Sequence, residues 1–331
     1  MKKKFYFMIP LTAFLAALAG CSSDEQEVNN EQQTFKAGDM IVSLEELTND
    51  EDNETIATRS YLSRDMKTHF WTETDEMRVY DPIMIRYDIY KFGRSDDNQQ
   101  KGVFSRISEQ SNYSEEPAFA FFSNTDVEGG YFDRDRKTYE PYLMVRYRIC
   151  ADEDDNMQPM TYSSLQTGNT VYFADWLPRW GEVTRVDGGE ALNTSMKFLT
   201  GVLRLQLTGT AGKADHLKVQ MLEDGEPIDI AGVFSTKLSV NGVMQPNANL
   251  AADTYIDDTG GNEIIVDLTG ATGSIVVYVP LVTTTTPVDI VVSASADGGS
   301  TYTEFKRFKN KTVTRGKVYG NSQEYDFANA G

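Results

Sequence analysis

Short apolar runs broken by turn residues, with no long segment that keeps a 3.6-residue apolar period, limit this chain to an all-β fold in which helices are few and short. Phe198 to Leu207 alternates around Leu203, Leu205 and Leu207. Leu217 to Met221, Val233 to Val240, Ile264 to Leu268, Ser274 to Pro280 and Val288 to Ser295 follow between Gly, Asp and Thr-rich turns, and Thr303 to Lys309 and Lys317 to Tyr319 close the series. The middle of the chain has the same character. Ile83 to Phe92, Ala118 to Ser123, Tyr142 to Cys150 and Thr170 to Ala174 are rich in β-branched and aromatic residues, between turn signals such as Gly93, Gly129-Gly130 and Asp154-Asp155-Asn156. Regular short strands predict β-sandwiches, and 331 residues suffice for two cores. A polar break from Gly181 to Thr194, containing Gly188-Gly189, is where the two would part. The expected layout is one sandwich over 35–190 and another over 191–331.

Ahead of these runs Met40, Val42 and Leu44 alternate with Ile41 and Ser43, which predicts a half-buried first strand within 35–46. An acidic run from Asn49 to Glu54 and then Ala57-Thr58-Arg59-Ser60 form a link open to cleavage. Further upstream, Met1-Lys2-Lys3-Lys4 is basic and Phe5 to Ala19 contains only one polar side chain, Thr12, so residues 1–20 read as a secretory leader and not as a membrane span. Leu18-Ala19-Gly20-Cys21 resembles the lipobox of bacterial lipoproteins, which implies lipidation of Cys21 and a protein held on the outer membrane by its acyl chains. Residues 21–34 are polar and acidic, the composition of a flexible tether, and the early Asp24-Glu25 pair resembles the surface-export signal of Bacteroidetes lipoproteins.

Charge and composition exclude several functions. The formal charge of −19 becomes −22 once Lys2, Lys3 and Lys4 leave with the leader, a balance that repels phosphates, so nucleic acid is not an expected partner. With Cys21 acylated, Cys150 is the single remaining cysteine; its setting at a strand end reads as a packed thiol. His69 and His216 stand 147 residues apart, and no nucleophile elbow, phosphate-cradling glycine loop or zincin motif occurs, so no enzyme, cofactor or metal centre is expected. Asp152 to Asn156 supplies clustered oxygen donors but lacks the ligand alternation and glycine of a calcium loop, and reads as a solvated turn. Trp176 and Trp180 flank Leu177-Pro178-Arg179. They suggest either a stacking surface for glycans or a contact between the two sandwiches, the former pointing to a lipid-anchored glycan-binding protein.

Several segments in series resemble the fimbrillin family, the type V pilus subunits and fimbrillin-like lipoproteins of Bacteroidales. They are the lipobox at Cys21, Thr58-Arg59-Ser60, Phe70-Trp71 with Asp75 to Tyr80, Lys197 to Leu205, Val277 to Leu281, and Arg315 to Tyr319. The resemblance implies two transthyretin-like sandwiches exported as a lipoprotein precursor. It also implies cleavage by an Arg-specific protease at Arg59, with Arg64 in reserve, loss of the first strand, and filling of the vacated groove by an extended strand from another fimbrial subunit. The mature protein would then belong to a surface fimbrium and adhere to host or bacterial ligands. Between Gly320 and Gly331 only Tyr325 and Phe327 are suited to anchor a donated strand, which favours a subunit at one end of the fibre or a non-polymerising relative.

Overall fold

The structure is a computed structural model that describes residues 38–45, 47–51, 55–56, 61–63, 69–71, 75–80, 87–95, 101–107, 119–122, 125–133, 138–152, 154, 156–161, 166–167, 170–172, 177–186, 191–208, 214–237, 239–240, 243–244, 254–256, 260–271, 275–320 and 324–326. The chain divides into a unit of residues 1–35 and a unit of residues 36–331, and every described element lies in the second. Among the described residues all regular elements are strands.

The first half builds a closed barrel where a sandwich was expected. Its seven strands run Met40–Leu44, Leu192–Phe198, Arg179–Arg185, Phe119–Phe122, Glu76–Tyr80, Tyr87–Ser95 and Gly102–Arg106, and the last returns to the first. Closure follows from the two pairings of one strand. Met40–Leu44 lies parallel to Leu192–Phe198 and antiparallel to Gly102–Arg106, so a strand from the start of the unit bridges two that would otherwise be edges. The interior holds Met40, Val42, Trp71, Met77, Val79, Tyr90, Phe104, Ala120, Phe122, Leu192 and Met196. Trp71 meets Phe104 edge-on at 5.0 Å. Gly102 makes this contact possible, since a Cβ there would sit 2.9 Å from the Trp71 ring.

The second half is a sandwich. One sheet orders Met160–Thr161, Ile264–Asp267, His216–Glu223, Val288–Ser295 and Thr303–Lys311, with Glu226–Ile228 on the end of His216–Glu223. The tight turn into Glu226–Ile228 uses Asp224 and Gly225, both at positive φ (51° and 91°), the backbone a two-residue hairpin requires. The other sheet orders Ile275–Leu281, Gly201–Thr208, Lys317–Tyr319, Leu47–Asn49 and Thr55–Ile56, with Glu324–Asp326 also along Gly201–Thr208. Leu203, Leu205, Leu207, Val277 and Val279 of this sheet face Leu217, Val219, Ile290 and Val292 of the first in the main apolar cluster. Its opposite face is covered too: Leu47, Leu177, Phe198, Val202, Val276, Tyr278 and Val318 form a separate cluster. That double burial explains why Ile275–Leu281 is an unbroken apolar run with no polar alternation.

Strand pairing crosses the polar break at 181–194. Arg179–Arg185 and Leu192–Phe198 are two antiparallel strands of the barrel, and the break takes in the end of the first, the start of the second and the connection between them. The long Thr125–Asp133 and Thr138–Ile149 hairpin continues into Gly232–Lys237 and Thr254–Ile256, and Met160–Thr161 pairs parallel to Ile264–Asp267. Residues from either side of position 190 therefore share sheets. Two smaller sheets complete the unit, one of Gln166–Thr167, Thr170–Tyr172, Tyr61–Ser63 and His69–Phe70, the other of Ser239–Val240 and Val243–Met244.

Candidate functional site

One feature that joins the barrel to the sandwich is the segment from Asp39 to Asp50. Its first strand, Met40–Leu44, turns Met40 and Val42 fully into the barrel, beside Leu192, Thr194 and Met196 in register across the parallel pair. Its second, Leu47–Asn49, lies parallel to Lys317–Tyr319 and buries Leu47 with Phe198, Val202 and Val318 on the outer face of that sheet, with Asn49 buried as well. The two strands belong to different sheets, and the step from Leu44 to Leu47 carries the segment from one to the other. Glu45 occupies that crossing.

Polar contacts hold the segment along its length. Asp39 accepts from Ser105 Oγ at 2.9 Å, its carbonyl accepts from the Leu192 N–H at 2.8 Å, and Ser43 Oγ donates to the Thr194 carbonyl at 3.3 Å. The Glu45 N–H donates to the Met196 carbonyl at 2.7 Å. Its carboxylate accepts from Arg315 Nη1 at 2.8 Å on each oxygen and from the Phe198 N–H at 3.2 Å. Next to it Gly316, at φ 69°, presents its carbonyl to the Thr48 N–H at 3.0 Å, a conformation that L side chains rarely adopt. The Asp50 N–H donates to the Val318 carbonyl at 2.9 Å, and Lys311 Nζ reaches the Asp50 carboxylate at 2.5 Å. Below the segment, burial pushes the Tyr278 phenol up to about 12, with Arg204 acting in the opposite sense.

The expected site residues are distributed differently. Cys21, Arg59, Arg64 and Trp176 lie outside the described residues. Trp180 is no stacking platform: it is 1% exposed, in a strand and not a loop, and belongs to the main apolar cluster with Leu199 and Leu203. Both edges of Arg179–Arg185 are paired, to Phe119–Phe122 and Leu192–Phe198, and both faces are covered at its start. The neighbouring Arg179 therefore points the other way, its guanidinium 5.1 Å from the Phe122 ring and 5.2 Å from that of Phe198. Lys197 Nζ lies 5.4 Å over Trp180.

Tyr325, the expected anchor of a donated tail, is buried in its own molecule. Glu324–Asp326 runs parallel to Gln206–Thr208, and Tyr325 meets Phe305 and Phe308 edge-on at 6.1 and 6.2 Å. Asp152 accepts from the Asp154 and Asn156 N–H groups and from the Asn156 and Gln158 side chains, and the Asn156 N–H bond is the foremost reason its carboxyl lies below the usual range. Its oxygens are thus occupied by the loop itself. Cys150 is buried, which pushes its thiol well up and away from reactivity. His216 opens its strand with Nδ1 2.8 Å from Asp215 and Nε2 3.7 Å from Asp267.

Glu45, Asp50 and Lys311 carry no role in the sequence reading, and Arg315 enters it only as the first residue of the segment ending at Tyr319. A weak signal existed in Glu45-Glu46, where charge interrupts an apolar alternation that resumes out of phase at Leu47.

No family model and no curated protein matches the sequence. Solved structures similar to it include candidate cell adhesion proteins of Bacteroides ovatus (11% identity over 86% of this chain and 90% of that one, TM-score 0.35) and Bacteroides uniformis (11%, 78% and 89%, TM-score 0.38). The fimbrial anchor protein Mfa2 of Porphyromonas gingivalis is another (9%, 82% and 81%, TM-score 0.28).

Proposed function

We propose that this protein is a subunit of a cell-surface fimbria, made as a lipoprotein precursor anchored through Cys21, in which the segment ending at Arg59 keeps the molecule closed until proteolysis. The observation that carries this reading is that Met40–Leu44 is paired on both edges and closes the barrel. A strand held in that way, once cut from the chain, leaves a slot with two unpaired edges and an apolar floor. Burial of a side chain such as Met40 or Val42 is worth roughly 1.5 to 3 kcal/mol, so the slot favours a replacement strand, and addition of an extended strand to a free edge is an established mode of association. The same cut frees Leu47–Asn49 from the sandwich. Cleavage thus opens one continuous track across both halves, which a neighbouring subunit fills.

Because Glu324–Asp326 is already paired within its own sheet, the subunit accepts a strand without lending Tyr325 to another. This suits a place at one end of a fibre, displayed at the surface and in contact with adhesion ligands. Treatment of the purified precursor with an Arg-specific protease, followed by N-terminal sequencing and sizing, tests the reading. The expected product begins at Ser60, does not self-associate for want of a donor and takes up an added extended peptide of residues 36–54; cleavage after Arg64 would place the cut at the reserve position. A chain that has lost the segment and takes up no added strand overturns it.

A further inference from the structure

The track occupied by Asp39 to Asp50 asks for different chemistry at successive positions. At Met40 and Val42 it is mainly apolar, lined by Phe104, Trp71, Leu192 and Met196, with Thr194 beside Val42. At Leu47 it is apolar again, between Phe198, Val202 and Val318. Between these stretches it is cationic: the Arg315 side chain, 11% exposed, gives Nη1 to both oxygens of Glu45 while the Phe198 N–H donates to one of them. We propose that this track accepts a strand of another subunit only when the strand carries apolar side chains at the registers of Met40, Val42 and Leu47 and a carboxylate at that of Glu45.

The inference rests on the strand-exchange reading and adds to it the code by which the incoming strand is chosen. Apolar alternation by itself does not define register, because a slip of two residues returns every side chain to the same face. Such a slip moves the carboxylate by about 6.6 Å, beyond hydrogen-bond reach of Arg315. A slip of one residue turns the acid into the barrel. The carboxylate is therefore a register pin, the use for which a partly buried ion pair is best suited. The acid lies three residues after Val42 and two before Leu47, off the centre of the pattern, which makes the code asymmetric, so the same strand entering in the reverse direction cannot satisfy it.

The test uses the full chain cut in the 57–60 link, by an Arg-specific protease or, where Arg59 resists, at an inserted site for a sequence-specific protease. Fluorescently labelled peptides of residues 36–54 are offered to it and binding is read by anisotropy. The natural peptide is expected to bind, and the Glu45→Gln peptide about tenfold more weakly, the size of one charge-assisted hydrogen bond. On a cut chain carrying Arg315→Met that difference should vanish. Equal binding of the two peptides to the unaltered chain overturns the code while leaving strand exchange intact, as does a difference that survives Arg315→Met. Because the peptides carry the first comparison, it does not depend on the folding of any variant. Failure of the natural peptide to bind a chain that has lost its segment overturns strand exchange itself, and the code with it.

Discussion

The N-terminal strand Met40–Leu44 and the C-terminal strand Glu324–Asp326 are both short, both lie parallel to a longer strand, and both bury a large side chain. They differ in how many edges hold them. Met40–Leu44 is paired on two sides, whereas Glu324–Asp326 is paired to Gly201–Thr208 alone among the described strands. Removing the first opens a closed barrel; removing the second merely moves the edge of a sheet. The lesson is that a terminal strand becomes a plug through closure and not through its own length or hydrophobicity.

Three measurements bear on this contrast. The largest effect is expected from Val42→Asp, which puts a carboxylate into the dry barrel interior: a loss of more than about 3 kcal/mol in denaturant unfolding, concentrated in hydrogen exchange of the barrel strands. Loss of protection spread evenly over the sandwich would break the comparison. Tyr325→Ala should cost less, about 2 kcal/mol, and should loosen Phe305 and Phe308 while the barrel keeps its protection, because only one sheet edge is involved. The smallest effect concerns acid. Asp297 is held down to about 2, foremost by the Thr301 N–H and then by Ser295 and Thr301 side chains, and Asp289 is lowered by the Asn310 N–H and Arg307. Folded-state values below the unfolded one contribute stability that is present above about pH 4 and fades as pH falls toward 2. Asp297→Asn should flatten that acid limb of the unfolding curve, with the change seen in the sandwich and absent from the barrel.

Much of the strand inventory was legible because apolar alternation and turn residues report burial directly. Lys317 to Tyr319 was read with its observed bounds, and Met40 to Leu44 stood out by its period of two. The polar break from Gly181 to Thr194 hides the end of Arg179–Arg185 and the start of Leu192–Phe198 for a physical reason. In Leu192–Phe198 the exposed Asn193 and Ser195 alternate with a buried set that includes Thr194, so the apolar period is masked by a buried hydroxyl. In Arg179–Arg185 a fully buried arginine, stacked between two phenyl rings, looks like a solvated one. Glu45 was visible only as an interruption, since its partner Arg315 is 270 residues away along the chain.

By itself the sequence determined the all-β class and an amphipathic strand at Met40 to Leu44, because each depends on local composition or period. Tertiary structure alone decided that this strand closes a barrel, that it continues into the sandwich, and that Glu45 meets Arg315 at the crossing. Those facts depend on which distant edges meet, and the free energy of pairing is shared between segments that carry no sign of one another in their own residues.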